Sequence, residues 1–178
     1  MMGTPPIARA ATPITACGTT ITTPGSYVVT KNLTVKKTTG ETVCIGVDTN
    51  DVTIDLSGFT IDCAGNKSAI AIESVAGGLE GFIVRNGHVT GSCASAVDFF
   101  ETPGVLVERV SVVADFDDGI ELGIGSLGID NVVTDTSDGP GIFGDCPAAI
   151  IDNTLLSNVS GNLSFGGDGC VFFNNLAP

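Results

Sequence analysis

Two ladders of apolar–x–apolar triplets recur along the chain and constrain its fold more than any other feature. The first comprises Ile45/Val47, Ile70/Ile72, Val97/Phe99, Ile120/Leu122, Ile142/Gly144 and Leu163/Phe165, with first members 25, 27, 23, 22 and 21 residues apart. The second comprises Val52/Ile54, Phe82/Val84, Val105/Val107, Leu127/Ile129, Ala149/Ile151 and Cys170/Phe172, with second members 30, 23, 22, 22 and 21 residues apart. Each triplet predicts a short strand with two side chains inward and one outward. A sustained spacing of this kind indicates a repeat architecture.

The period predicts a solenoid built only of strands. A unit of about 22 residues is too short for a strand–helix–strand crossover and contains no helical periodicity. We therefore expect an all-β, right-handed parallel β-helix of about six coils, each stacking in parallel on the last. Residues 1–19 are predicted to be an N-terminal tail, residues 20–43 lead-in strands that cap the coils, and residues 44–178 the coils of one domain.

Asparagines form a third ladder. Asn86, Asn131, Asn153 and Asn174 each lie two residues after the last apolar residue of a second-ladder triplet. Stacked asparagines can satisfy the backbone of a sharp turn through their side-chain amides. This ladder predicts a bend at the same place in successive coils.

The repeated segments resemble one known superfamily. The segments "VTIDLSG", "FIVRNGH", "VLVERVS", "LGIDNVV", "AIIDNTL" and "CVFFNNL", with the N-terminal "ITTPGSYVVTKNLTV", resemble the right-handed parallel β-helix, or pectate-lyase-like, superfamily over roughly residues 20–178. The resemblance implies the fold. Because many chemistries and many non-enzymes share this scaffold, it leaves the function open.

Charge and cysteine content limit the partners and the compartment. The net charge is −13 and no lysine or arginine follows Arg109, which argues against nucleic acid. No apolar run approaches the roughly 18 residues of a membrane helix, so we expect no membrane insertion. Six cysteines without a CxxC motif, and a single histidine, His88, favour disulfides over zinc. We expect an extracellular or cell-surface protein, although the first residues lack the apolar region of a signal peptide.

The cysteine spacing predicts one disulfide, and two others are assigned by position. Cys63 and Cys93 are 30 residues apart, the same offset as Ile54 to Val84, so they should occupy equivalent places in neighbouring coils. Cys17–Cys44 would join the lead-in segment to the first coil. Cys146–Cys170 would join the last two coils.

Several aspartates and glutamates are candidate site residues. The segment "DDG" places Asp117 and Asp118 in a turn before a strand that carries Glu121, and a solvated turn is one interpretation. A calcium site is another: Asp98 and Glu121 should be outward neighbours, with Asp118 nearby, and Asp130 should stack on Asp152. Adjacent carboxylates repel unless they are solvated or bridged by a hard cation.

Catalysis is the third interpretation, and it comes from the resemblance. "DFDDG" resembles the aspartate motif of the polygalacturonase branch, which implies paired carboxylates as general acid and base, with Asp117, Asp118 and Glu121 as candidates. That branch also has Gly-His-Gly and Arg-x-Lys after the aspartates. Here Gly87-His88 comes before them and no basic residue follows. A lyase would need calcium and a base from among Lys67, Arg85 and Arg109.

Outward positions predict a surface for partners. Ile83, Leu106, Ile150 and Val171 are expected to form an apolar strip that a loop or another chain covers. The last coil lacks a polar cap, so we expect either a larger parent protein or end-to-end stacking. We therefore expect an extracellular module with a structural, adhesion or assembly role that can bind polysaccharide. The alternative is a polysaccharide lyase or glycoside hydrolase, or a fragment of one.

Overall fold

The chain folds as a parallel β-solenoid of about six turns. The computed structural model describes residues 10–36, 42–113, 118–158 and 160–177. Within these ranges every regular element is a β-strand, and every strand pairing is parallel. The described residues contain no helix long and apolar enough to cross a membrane.

The strands are short, as the triplets predict. In chain order they are β1 (Thr12–Ile14), β2 (Thr19–Ile21), β3 (Gly25–Val29), β4 (Leu33–Thr34), β5 (Val43–Val47), β6 (Val52–Asp55), β7 (Thr60–Asp62), β8 (Ile70–Ser74), β9 (Ile83–Thr90), β10 (Ser95–Phe99), β11 (Leu106–Val113), β12 (Asp118–Leu122), β13 (Leu127–Ile129), β14 (Val132–Thr134), β15 (Ile142–Asp145), β16 (Ala149–Ile151), β17 (Thr154–Leu156), β18 (Leu163–Gly166) and β19 (Val171–Phe173). The first strand already pairs with β3, so regular structure begins inside the segment predicted to be a tail.

Two sheets form the walls of the solenoid. The seven-stranded sheet has the order β18-β15-β12-β10-β8-β5-β2. The twelve-stranded sheet has an upstream arm, β1-β3-β6-β9-β11-β13-β16-β19, and a downstream arm in which β4, β7, β14 and β17 pair with one another or with the ends of β9 and β11. Each turn passes from the seven-stranded sheet to the upstream arm, then around a corner to the downstream arm.

Apolar side chains from successive turns stack into continuous columns that form the core. One column of the seven-stranded sheet is Ile45, Ile72, Val97, Ile120, Ile142 and Leu163. One column of the downstream arm is Leu33, Ile61, Val89, Val112, Val133 and Leu155, all buried. Burying one such side chain contributes about 1.5–3 kcal/mol, so these columns dominate the stability of the fold.

The observed register corrects both predicted ladders. In the first, Ile72 rather than Ile70 aligns with Ile45, a slip of two residues that leaves the same face inward. In the second, Val107 aligns with Gly128, and Gly128 with Ile150, a slip of one residue. Because a one-residue slip exchanges the two faces of a strand, Leu127 and Ile129 face outward, contrary to the prediction.

A left-handed corner separates the two arms of the twelve-stranded sheet. Positive φ angles between 52° and 60° recur at one position of successive turns, in Asn86, Arg109, Asp130, Asp152 and Asn174. Asparagine and aspartate tolerate this conformation better than most residues, which explains their repetition.

Asparagines satisfy the backbone directly after this corner, and two of them, Asn131 and Asn153, are buried. Oδ1 of Asn131 accepts the Val110 N–H, Oδ1 of Asn153 accepts the Asn131 N–H, and Oδ1 of Asn175 accepts the Asn153 N–H, each at 2.9 Å. The ladder predicted from sequence is therefore correct for Asn131 and Asn153. It is wrong for Asn86 and Asn174, which belong to the left-handed position one residue earlier.

Three disulfides join neighbouring turns. They are Cys17–Cys44, Cys63–Cys93 and Cys146–Cys170, with Cα–Cα distances of 4.0, 5.6 and 4.9 Å. These are the pairs predicted from the sequence. Each closes a loop of about one turn, which lowers the entropy of the unfolded chain.

Replacing Asn153 with alanine tests the asparagine ladder. Asn153→Ala removes the side-chain acceptor of the buried Asn131 N–H and one donor to the Gly128 carbonyl. We expect the free energy of unfolding to fall by about 2–3 kcal/mol, measured by denaturant titration. The matched control is Thr154→Ala, on the partly exposed next residue, for which we expect a loss below about 0.5 kcal/mol. Equal losses in the two variants would contradict a special role for the ladder.

Candidate functional site

The candidate site is an acidic groove on the outer face of the seven-stranded sheet. Three carboxylates occupy equivalent positions of neighbouring strands: Glu73 on β8 pairs in register with Asp98 on β10, and Asp98 with Glu121 on β12. Strands in such a sheet are about 4.8 Å apart, so the carboxylates form a row along the solenoid axis. The sequence predicts the adjacency of Asp98 and Glu121, and the structure contains it.

Loops from two turns form the walls of the groove. The groove has a volume of about 340 Å³ and is lined by Ser74, Val75, Ala76, Gly77, Asp98, Phe99, Phe100, Glu101, Thr102 and Glu121. The loop at Phe100–Thr102 packs against Gly123, where a Cβ atom would collide with the carbonyl oxygen of Thr102. The Phe100 N–H donates to Oδ1 of Asp98 at 3.3 Å, which holds that carboxylate beside the loop.

Glu121 has the most perturbed acidity in the groove. Burial, followed by the charge of Asp98, raises its pKa from 4.5 to about 7. A 2.8 Å hydrogen bond from Oγ of Ser95 to Oε1 of Glu121 opposes this shift, and Asp118 adds to it. Burial and Asp98 also raise the pKa of Glu73. Below about pH 7, the row therefore contains a carboxyl group, Glu121, that holds its proton beside Asp98.

Asp118 lies beside this row. It is the first residue of β12, pairs in register with Ser95, and its N–H donates to the Ala94 carbonyl at 3.1 Å. It is half-buried and belongs to a strand, not to the solvated turn that is one interpretation of the sequence. Asp117 lies outside the described residues.

A pair of aromatic rings borders the carboxylates. Phe143 follows Glu121 in the same outward row, on β15. Its ring centroid is 5.5 Å from that of Phe100, which is among the most exposed large apolar side chains. Thr102, another lining residue, has a buried Oγ1 that lacks a hydrogen-bond partner within the described part of the chain. The groove thus combines an apolar surface with carboxylate acceptors.

Two predicted metal ligands lie elsewhere. Asp130 and Asp152 occupy the left-handed corner of the twelve-stranded sheet, and Nδ2 of Asn174 donates to Asp152 at 2.6 Å. Asp55, Arg85 and Glu108 form an outward row on successive turns, which Asp130 and Asp152 do not join. That row continues instead with Ile129, Ile151 and Phe173.

The described residues contain no group of three His, Cys, Asp or Glu side chains arranged to hold a metal ion. Calcium binding stays a prediction.

The basic residues at the corner are engaged in ion pairs. Nε of Arg85 is 3.0 Å from Oδ2 of Asp55, and hydrogen bonds from Ser57, Asn86 and Arg85 outweigh the effect of burial and lower the pKa of Asp55. Arg109 pairs with its neighbour Glu108, at 2.9 Å for Nη1. These contacts give both arginines structural roles.

The predicted apolar strip is partly wrong. Ile83, Leu106 and Val171 do face outward, but Ile150 is completely buried because of the one-residue slip. The outward row is Thr53, Ile83, Leu106, Leu127, Ala149 and Val171. Together with Ile129, Ile151 and Phe173, it makes the outer face of the upstream arm apolar in the last turns.

Sequence reasoning missed Glu73 as a member of the carboxylate row, Ser95 as the hydrogen-bond partner of Glu121, and Thr102 as a lining residue of the groove. Glu73 follows Ile72 as Asp98 follows Val97, so the correct alignment of Ile72 would have identified it. Nothing in the sequence marks Ser95 or Thr102, because the packing of neighbouring turns brings Ser95 to Glu121 and Thr102 to the groove. No known family model, curated protein or solved structure matches this chain.

The raised pKa of Glu121 predicts a pH-dependent loss of stability. The folded state keeps this proton up to about pH 7, while the unfolded chain releases it near pH 4.5, so stability should fall as the pH rises through this range. Because Glu121 is partly exposed, we expect a contribution of about 1–2 kcal/mol. The free energy of unfolding would be measured by denaturant titration at several pH values from acidic to neutral. Glu121→Gln should remove the part of its decrease with pH that this group causes. The exposed control Glu80→Gln should retain it, and parallel curves for all three proteins would refute the assignment.

Proposed function

We propose that this chain is an extracellular β-solenoid module with a structural, adhesion or assembly role, and that its acidic groove binds neutral carbohydrate. The observation that carries the proposal is the combination of two carboxylates that line the groove, Asp98 and Glu121, with the Phe100–Phe143 ring pair beside them. The three disulfides between turns support an oxidising compartment.

The chemistry of the groove suits a sugar chain. Carboxylates accept hydrogen bonds from hydroxyl groups, and aromatic rings offer large apolar faces to the C–H surfaces of a sugar ring. The buried Thr102 hydroxyl is a further group whose hydrogen bonding a ligand or a water molecule could complete. An extended ligand along the axis would meet one carboxylate on each of three successive turns.

Charge favours a neutral ligand over an acidic one. The protein has a net charge of −13, and the lining of the groove includes Asp98, Glu101 and Glu121 but no lysine or arginine. A polyanion would be repelled by this field, whereas a neutral glycan would not. The proposal therefore predicts discrimination between these two classes of polysaccharide.

Titration with oligosaccharides tests the binding proposal. We expect calorimetry or NMR to detect binding of neutral oligosaccharides and none of oligogalacturonate. Phe143→Ala and Asp98→Asn should each weaken binding by about tenfold, through loss of the aromatic face or of an acceptor charge. Asp168→Asn, at an exposed position in the last turn, is the matched control and should bind normally. Absence of binding to every neutral oligosaccharide would refute the proposal.

A second candidate function, glycoside hydrolysis, is favoured by Glu121. A carboxylic acid that keeps its proton to about pH 7 beside another carboxylate has the properties of a general acid. Side chains on neighbouring strands are about 5 Å apart, close to the carboxylate separation of retaining glycosidases. Asp98 would then act as the nucleophile and Glu121 would protonate the leaving oxygen.

Product release distinguishes an enzyme from a binding module. Neutral and acidic polysaccharides would be incubated with the protein, with calcium or with a chelator, beside Glu121→Gln and Asp118→Asn. If Glu121 is the general acid, product formation should decline as the pH rises above about 7 and should be lost in Glu121→Gln. No product from any substrate would exclude hydrolysis of that panel and leave the binding role.

A further inference from the structure

We propose that the solenoid associates head to tail with a second copy of itself, so that the C-terminal edge of one copy pairs with the N-terminal edge of the next. The C-terminal edge consists of β18, β19 and Leu176, and the N-terminal edge of β1, β2 and β4. Within the described residues each of these strands has one neighbour: β18 pairs with β15, β19 with β16, β1 with β3, β2 with β5 and β4 with β7. No described strand pairs with their other backbone edges, so a parallel strand of a second copy can add there.

The C-terminal edge presents core positions to solvent. Phe165 and Phe172, at core positions, are 55% and 39% exposed, and Leu176, in the outward row of Val132 and Thr154, is 58% exposed. Phe165 continues the column of Phe99, Leu122 and Gly144, and Phe172 stacks on Ile150. The Leu176 carbonyl accepts the Leu155 N–H at 2.8 Å. The surface therefore has the shape of the solenoid interior, and the partner that fits it is another parallel turn.

The N-terminal edge offers such a turn. Ile21 pairs in register with Val47, in the column that ends at Phe165. Leu33 begins the buried column of the downstream arm, and Leu176 lies at the other end of that arm, in the outward row of Val132 and Thr154. A hollow of about 230 Å³ lies over β4, lined by Thr15, Ala16, Cys17, Lys31, Asn32, Leu33, Thr34 and Lys36. This hollow has room for the exposed Leu176 of another copy.

Charge selects head-to-tail over tail-to-tail contact. Residues 1–40 contain Arg9, Lys31, Lys36 and Lys37 and no aspartate or glutamate. Residues 110–178 contain ten aspartates and glutamates and no lysine or arginine. Two C-terminal edges would repel each other, whereas a C-terminal edge and an N-terminal edge attract. Because this heterologous contact does not close on itself, it predicts linear oligomers that lengthen with concentration.

Complementary variants test this arrangement by sedimentation velocity. The double variant Phe172→Ser/Leu176→Ser disables the C-terminal edge, here called the tail of the solenoid. The double variant Lys31→Glu/Lys36→Glu disables the N-terminal edge, here called its head. We expect each variant alone to associate at least about tenfold more weakly than the unsubstituted protein. Mixed one to one, they should form a dimer that grows no further, because one intact head meets one intact tail. Val113→Ser/Val132→Ser, at exposed apolar positions on the body of the solenoid, is the matched control and should assemble normally. Thermal melting verifies that each variant is folded.

Other outcomes would overturn the proposal. A protein that is monomeric at every concentration has no such contact. Dimers of the head-disabled variant alone would indicate tail-to-tail pairing, and loss of assembly in the Val113/Val132 control would indicate lateral packing. Added salt should weaken the assembly, since opposite charges drive it. Stronger assembly at high salt would show that apolar contacts drive the association without the charges, and would contradict the charge pairing proposed here.

Discussion

The stacking of equivalent apolar side chains from one turn onto the next is the interaction on which the rest of the structure depends. Each inward side chain, such as Ile120 or Val112, contacts the same position of the turn before and the turn after. A single turn has no core of its own, so its stability is shared with its neighbours. The end turns lack one neighbour, which is why Phe165 and Phe172 are exposed although they occupy core positions.

Corners keep this stacking in register. A left-handed residue recurs in successive turns, and the asparagines that follow it tie the backbone of one turn to the side chain of the next. The disulfides add covalent links between turns at three further places. Because side chains alternate between the faces of a strand, fixing the corner also fixes which residues face the core and which face solvent.

The outer surface follows from the same register. Glu73, Asp98 and Glu121 are 25 and 23 residues apart in the chain, yet parallel pairing places them in one row. Burial, followed by the charge of Asp98, raises the pKa of Glu121 and accounts for the proton that it retains. The distribution of charge along the sequence becomes a distribution along the solenoid axis, because successive turns stack in chain order.

The sequence by itself determined the all-β solenoid, the number of turns, the Cys63–Cys93 pair and the adjacency of Asp98 and Glu121. These follow from periodicity, which survives small errors of alignment. Tertiary structure decided the register after Val107, where Gly128 and not Ile129 faces the core, and with it the burial of Ile150 and the separation of Asp130 and Asp152 from the other carboxylates. Leu127, Gly128 and Ile129 suit either alignment, and only the fixed corner at Asp130 selects one. The groove walls, Ser95 and Thr102 were likewise decided by packing, because contacts between loops of different turns leave no periodic signal in the chain.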